Sequence, residues 1–305
     1  KRVNMDIELT LERDGFYGLY HGGTKYPDVV ILRTAGSGAP KGNVISCSKF
    51  LFEAGYSVLC IGYYMWGTLG DVIDEIPLDY VEKAISWVRS YTGNPNLRIG
   101  ITGLSQGASY ALAAAARIPD ISAVAAASPF DHVMEGNTNS FRRTGHSSYT
   151  WHGEPLPYTR WKLLDASLPK LLFHILRDKE YGISRMMRYG YDKNGIDPVS
   201  AIEVENMHAD LLLLASKDDD CWPSDEAVPR MVERLRVAGY SHHVESHIYE
   251  RGCHNMGGDM TLTGKTGKKM KRLMRSWADH PDDCLACIED SKERILTFFE
   301  SVFSR

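Results

Sequence analysis

The sequence predicts an α/β fold: a mostly parallel central sheet with helices on both faces and a lid insertion between two core strands. Three observations lead there. Short apolar runs alternate with segments whose apolar residues recur at helical spacing, the pattern of strand–helix–strand units. Some of these runs are apolar at every position, as in strands buried on both faces. Residues 97–119, LRIGITGLSQGASYALAAAARIP, also join an Ile-rich run to an Ala-rich helical stretch through Gly103-Leu104-Ser105-Gln106-Gly107. With 305 residues, 43% of them hydrophobic and 24% charged, the chain suits one large domain over residues 1–305, with residues 129–207 as the insertion.

Taken in order, residues 4–10 alternate, Arg13-Asp14-Gly15 is a turn signal, and residues 16–20 follow as the second arm of a β-hairpin. Val29–Thr34 is a short apolar strand leading into the glycine-rich loop Ala35-Gly36-Ser37-Gly38-Ala39-Pro40. Residues 43–54 read as a helix closed by Gly55, and residues 56–64 as the next buried strand. After Pro77, the spacing of Leu78, Val81, Ala84, Ile85 and Val88 predicts a helix. The stretch around Ser105 follows, then a strand over Ile121–Ala127.

Beyond it the pattern loosens. Asn137-Thr138-Asn139-Ser140 and His152-Gly153-Glu154-Pro155 are loop chemistry, whereas residues 161–177 and 183–189 read as helices. The core resumes with a strand at Asp210–Ser216, a helix at Ser224–Val237, a strand at 243–249 and a final amphipathic helix over about 289–303.

Composition excludes several function classes. A net charge of −4 gives no reason to expect nucleic acid or a membrane surface as partner. No apolar run approaches the roughly 20 residues that a membrane-spanning helix needs. The N-terminus runs directly into the first strand pattern, so no signal peptide is expected. Six scattered cysteines point to a reduced, cytoplasmic protein, and Cys284-Leu285-Ala286-Cys287 reads as one buried and one half-exposed thiol on a helix.

The chemistry centres on Ser105. G-x-S-x-G between a strand and a helix resembles the nucleophile elbow of the α/β hydrolases, in which a sharp turn presents the serine hydroxyl at the end of the sheet. A serine hydroxyl is a weak nucleophile at neutral pH, so it needs a base within reach and an acid that orients the base. In that fold the chain order is serine, acid, histidine. The Asp210–Ser216 strand runs into Lys217-Asp218-Asp219-Asp220, where Asp219, three residues after the small Ser216, is favoured over its two neighbours. Among eleven histidines, His146, His152, His174 and His208 precede the acid, while His242, His243 and His247 lie in or before the last strand. His254 follows that strand on a small-residue turn and is the expected base. The tetrahedral oxyanion needs two N–H donors. Gln106 is one, and Gly36, with Ser37 as its neighbour, is the expected other. No metal and no cofactor is expected.

Several segments resemble one family within that superfamily. Phe52-Glu53-Ala54-Gly55-Tyr56-Ser57-Val58-Leu59, Ile76 to Ala84 (IPLDYVEKA), Gly103 to Ala108, Ser216 to Trp222 (SKDDDCW) and Tyr249 to His254 are similar to the acyl-CoA thioesterase and bile acid-CoA:amino acid N-acyltransferase family. The resemblance implies a Ser-His-Asp triad in which the second aspartate, three before the tryptophan, is the acid; that residue is Asp219. It also implies an acyl-CoA or other small acyl ester as substrate, with an acyl-enzyme on the serine. Members that transfer acyl groups to glycine or taurine carry cysteine at the elbow, so Ser105 favours water as acceptor. A carboxylesterase or amidase on small acyl substrates, and an acyl-CoA:amino acid N-acyltransferase, are the alternatives. The family usually carries an N-terminal β-sandwich, for which the residues before Val29 are too few. Gln106 stands where lysine is common, and Lys265, Lys268, Lys269, Lys271, Arg272 and Arg275 form a basic run that could hold phosphates.

Overall fold

The computed structural model describes residues 6–37, 39–138, 143–160, 188, 191–192, 195–258 and 274–305. The helices expected over 161–177 and 183–189 lie largely outside these residues, as does the basic run except Arg275.

Its centre is an eight-stranded sheet of β1 (Ile7–Leu9), β2 (Tyr17–His21), β3 (Val29–Thr34), β4 (Ser57–Gly62), β7 (Arg98–Leu104), β8 (Ile121–Ala127), β13 (Asp210–Ser216) and β14 (Val244–Tyr249). In space the order is β1-β2-β4-β3-β7-β8-β13-β14. β1 and β2 pair antiparallel, as does β2 with β4; every later pairing is parallel. The expected α/β architecture is therefore the observed one.

Continuous apolar runs form the parallel strands because both faces are covered. Along β3, Val30 and Leu32 enter one core, while Val29 and Ile31 enter the other. The same alternation divides Leu211 and Leu213 of β13 from Leu212 and Leu214. Helices α4 (Asp79–Thr92), α5 (Gln106–Ala115) and α6 (Ser224–Val237) cover the first face with Val81, Val88, Leu112 and Met231. Helices α2 (Lys41–Cys47), α3 (Lys49–Glu53) and α8 (Pro281–Phe303) cover the second with Val44, Leu51, Ile295 and Phe299.

Four details differ from the sequence reading. A helical turn, α1 (Leu11–Asp14), sits in the expected N-terminal hairpin, capped by the Thr10 hydroxyl. The helix expected over 43–54 is broken at Ser48, whose hydroxyl turns back to the Val44 carbonyl at 2.7 Å. The last helix begins earlier than expected because Pro281 occupies its first turn with Asp282 and Asp283 behind it. Cys284 and Cys287 are consequently both buried on that helix, rather than one being half-exposed. Finally, the described part of residues 129–207 contains strands that no periodicity announced. β9 (Glu135–Thr138) pairs with both β10 (Arg143–Ser147) and β5 (Val72–Ile73), and β11 (Tyr149–Trp151) with both β12 (Glu154–Pro155) and β6 (Ile76–Pro77).

Parallel strands present all their C-terminal ends on one edge. Thr34 lies opposite Gly103, Leu104 opposite Ala127, and Ser216 opposite Tyr249. The loops carrying Gly36, Ser105, Asp219 and His254 leave the sheet there, the edge where open α/β sheets place their sites.

Candidate active site

Ser105 separates β7 from α5 at φ 56°, ψ −123°, a region L-residues rarely occupy. Its N–H still bonds to the Ala127 carbonyl at 2.9 Å, and its carbonyl already accepts from Ala108 and Ser109 in the helix. Chain reversal in one residue requires the flanking glycines. A Cβ on Gly103 would lie 2.2 Å from the Gly107 carbonyl oxygen, and one on Gly107 2.5 Å from the Ala35 carbonyl oxygen. Strand, helix and glycine-rich loop touch backbone to backbone, and the hydroxyl has one place to go.

Both expected oxyanion donors lie beside it. Gln106 holds the first helical position, where an N–H has no carbonyl partner within its own helix. Its side chain is locked: Nε2 donates to Tyr149 Oη at 2.6 Å, and that hydroxyl donates back to the Gln106 carbonyl at 3.0 Å. Gly36 lies against the serine, close enough that a Cβ there would be 3.3 Å from Ser105 Cβ and 3.8 Å from Oγ. Ser37 is exposed.

Of the three aspartates, Asp219 faces the histidine. His254 Nδ1 and Asp219 Oδ1 are 2.8 Å apart, with both residues buried. The carboxylate is fixed by the Cys221 and Trp222 N–H groups at 2.9 and 3.2 Å, and by the Ser224 hydroxyl at 2.6 Å. Asp220 turns away and accepts from the Ser276 N–H at 2.9 Å and from its hydroxyl, at the start of α7 (Arg275–Asp279). These roles separate by mutation. Asp220→Ala should lower unfolding stability by about 1–3 kcal/mol, the cost of stranding buried donors, yet leave kcat/KM nearly unchanged, as denaturant melts and steady-state rates would read.

Burial alone would push the His254 imidazole down. Asp219 and then Cys221 more than reverse this and hold it well above the ordinary histidine value. Burial in turn pushes the Cys221 thiol up, with His254 opposing. Among the described residues, the Ser105 hydroxyl makes no hydrogen bond to the imidazole. The two are joined through the end of β8: Ala127 accepts from the Ser105 N–H, and the next residue, Ser128, donates its hydroxyl to the His254 carbonyl at 2.8 Å.

Three positioning residues were not foreseen. Ser128, at φ 46°, also accepts the Trp222 indole N–H at 2.9 Å through its carbonyl. Trp222 sets its ring edge-on to His254 at 6.0 Å and stacks on Phe130 at 5.6 Å. Cys221 places its thiol within 4.8 Å of an imidazole nitrogen. The one available signal was position: Ser128 directly follows β8, and Cys221 and Trp222 lie in the loop that follows β13. For metal ligation, Asp219, Cys221 and His254 offer ligand atoms within 4.8 Å of one another, and so do Asp79, Glu82 and His152 on the surface.

Comparison with known proteins fits this geometry. The family described as BAAT / acyl-CoA thioester hydrolase C terminal matches residues 76–258, more than half of the chain and including Ser105, Asp219 and His254. The chain belongs to that family. Acyl-coenzyme A thioesterase 5 of Mus musculus is 26% identical over 195 residues, covering 63% of this chain and 41% of its own length. Acyl-coenzyme A amino acid N-acyltransferase 2 of Rattus norvegicus is 23% identical over 194 residues, covering 64% and 41%. The chain thus spans about two fifths of the length of these relatives. Among solved structures, a Pyrococcus furiosus esterase superposes with TM-score 0.52 at 14% identity, covering 99% of this chain and 98% of that one. A Bacillus coagulans carboxyl esterase gives 0.53 at 13%, covering 98% of each. Both carry the α/β-hydrolase fold of this family member.

Proposed function

We propose that this chain is a serine hydrolase that cleaves acyl thioesters, with acyl-CoA as the substrate class, through an acyl-enzyme on Ser105. The observation that carries the reading is the buried Asp219–His254 pair at 2.8 Å, on the same sheet edge as the strained serine. His254 takes the Ser105 proton as Oγ attacks the acyl carbon. Asp219 holds the ring through Nδ1 and stabilises the imidazolium. The Gln106 and Gly36 N–H groups receive the developing oxyanion, where one donor is worth about 3 kcal/mol of barrier. The imidazolium then protonates the departing thiolate, and water, deprotonated by the same ring, releases the acid. Catalytic hydrogen bonds that are long in a free enzyme tighten with substrate in place, and the Ser105–His254 bond is assigned to that state.

Residues 129–207 act as the lid. Phe130 packs on the acid loop through Trp222, and Tyr149 clamps Gln106, so the insertion touches both halves of the site. Six cysteines, none in a disulfide among the described residues, suit a reducing compartment such as the cytoplasm. No helix among the described residues is long and apolar enough to cross a membrane.

The rat relative makes an amine the second acceptor to consider. A single assay tests both: acyl-CoA is incubated with and without glycine, and the products are separated. Free acid in both mixtures, with covalent labelling of Ser105 by a fluorophosphonate, is the expected result. A glycine conjugate would move the chain to the transferases, and neither product from any acyl-CoA or simple ester would remove the reading.

A further inference from the structure

Cys221 forms and breaks no bond in the hydrolytic scheme, yet its thiol neighbours the imidazole that the scheme depends on. Asp219, Cys221 and His254 each place a ligand atom within 4.8 Å of the other two. Around a tetrahedral Zn2+, with bonds to sulfur of about 2.3 Å and to nitrogen and oxygen of about 2.0–2.2 Å, the ligand atoms stand about 3.4–3.6 Å apart. Small side-chain adjustments therefore close the three onto one ion. We propose that these three side chains form a site for a thiophilic divalent cation, Zn2+ or Cd2+, and that its occupancy switches the hydrolase off.

The donor set selects the ion. Thiolate, imidazole and carboxylate together match zinc and its soft neighbours, whereas Mg2+ and Ca2+ take oxygen ligands. The charges close as well. On binding, the Cys221 thiol releases its proton to solvent, and the thiolate with the Asp219 carboxylate neutralises the two charges of the ion. A neutral assembly is what a buried pocket tolerates. The supports exist already: the Cys221 and Trp222 N–H groups and the Ser224 hydroxyl fix the carboxylate, as outer partners orient metal ligands. Asp219 and His254 are buried and Cys221 is half-buried.

Either way of binding the histidine disables it. An ion on Nδ1 displaces the hydrogen bond to Asp219, and an ion on Nε2 occupies the nitrogen that would take the serine proton. The switch-off thus rests on His254 being the base; the binding does not.

The test is therefore a binding spectrum first and a rate second. Co2+ added to the full chain should bind once per chain and develop thiolate-to-cobalt charge-transfer absorption, which Zn2+ abolishes by displacement. Cys221→Ser and Cys221→Ala should both lose that absorption while keeping the wild-type melting curve. Saturating Zn2+ should lower p-nitrophenyl ester hydrolysis at least tenfold, reversibly with a chelator. Each variant, referred to its own metal-free rate, should need at least tenfold more Zn2+. No charge-transfer band in the wild type, or a band that persists in both variants because the metal has gone to Cys253, Cys284 or Cys287, would overturn the site. A Cys221-dependent band on a chain that hydrolyses nothing would uphold the site while refuting the serine-hydrolase reading.

Discussion

Replacing Ser105 by alanine should reduce kcat/KM for acyl-CoA or p-nitrophenyl esters by about 10⁴-fold or more, the scale on which removal of a triad nucleophile acts. Thermal unfolding should barely move, because alanine keeps the φ 56°, ψ −123° backbone and the small volume of the site. Ser105→Gly separates the two roles of the position. Glycine occupies positive φ at no steric cost, and relief of about 1–3 kcal/mol of strain exceeds the 0.5–1 kcal/mol or so that glycine loses through chain entropy. That variant should be as inactive as the alanine form yet more stable by about 1 kcal/mol. A functional site that stores strain shows both changes; a strained turn with no catalytic role would show the gain in stability alone. Retention of more than a tenth of wild-type activity in either variant would take Ser105 out of the mechanism.

How much of this could be read before any coordinates depended on how local the causes were. The parallel strands were legible because Val29–Thr34 and Asp210–Ser216 are apolar at nearly every position, which only burial on both faces explains. The elbow was legible because the close approaches at Gly103 and Gly107 fall within a few residues of the serine. His254 could be selected by chain order together with its place on a small-residue turn beyond the last strand. The three aspartates could not be sorted as securely, since what distinguishes Asp220 is a serine in α7, 56 residues on. Ser128 and Trp222 were invisible for the same reason: their partners lie 126 and 94 residues away. Strands β9 to β12 escaped because short polar pairs such as Glu135–Thr138 have no two-residue apolar alternation. Their pairing depends on β5 and β6, which are two residues each.

Asp219→Asn should be nearly as damaging as loss of the serine. The amide preserves size and, with its oxygen in the place of Oδ2, can still accept the Ser224 hydroxyl, while the NH2 group replaces Oδ1 and gives up the Cys221 and Trp222 N–H bonds. Facing His254 Nδ1, however, its NH2 group favours the tautomer with the proton on the wrong nitrogen, a change worth about 10⁴ in kcat. The pH profile supplies a second readout that simple misfolding would not imitate. With His254 as the proposed base, hydrolysis needs the neutral imidazole. In the wild type the ring is held well above its ordinary value: burial lowers it, but Asp219 and then Cys221 raise it by more. The wild-type rate should therefore rise with pH through a limb centred above the usual histidine range and should fade as acid protonates the base. In Asp219→Asn the largest raising influence is gone while burial persists, so the acidic limb should move to lower pH even as the plateau collapses. The Asp218→Asn control, whose residue does not face the ring, should keep both plateau and limb. A limb that stays in place in Asp219→Asn would mean that this carboxylate does not govern the catalytic imidazole.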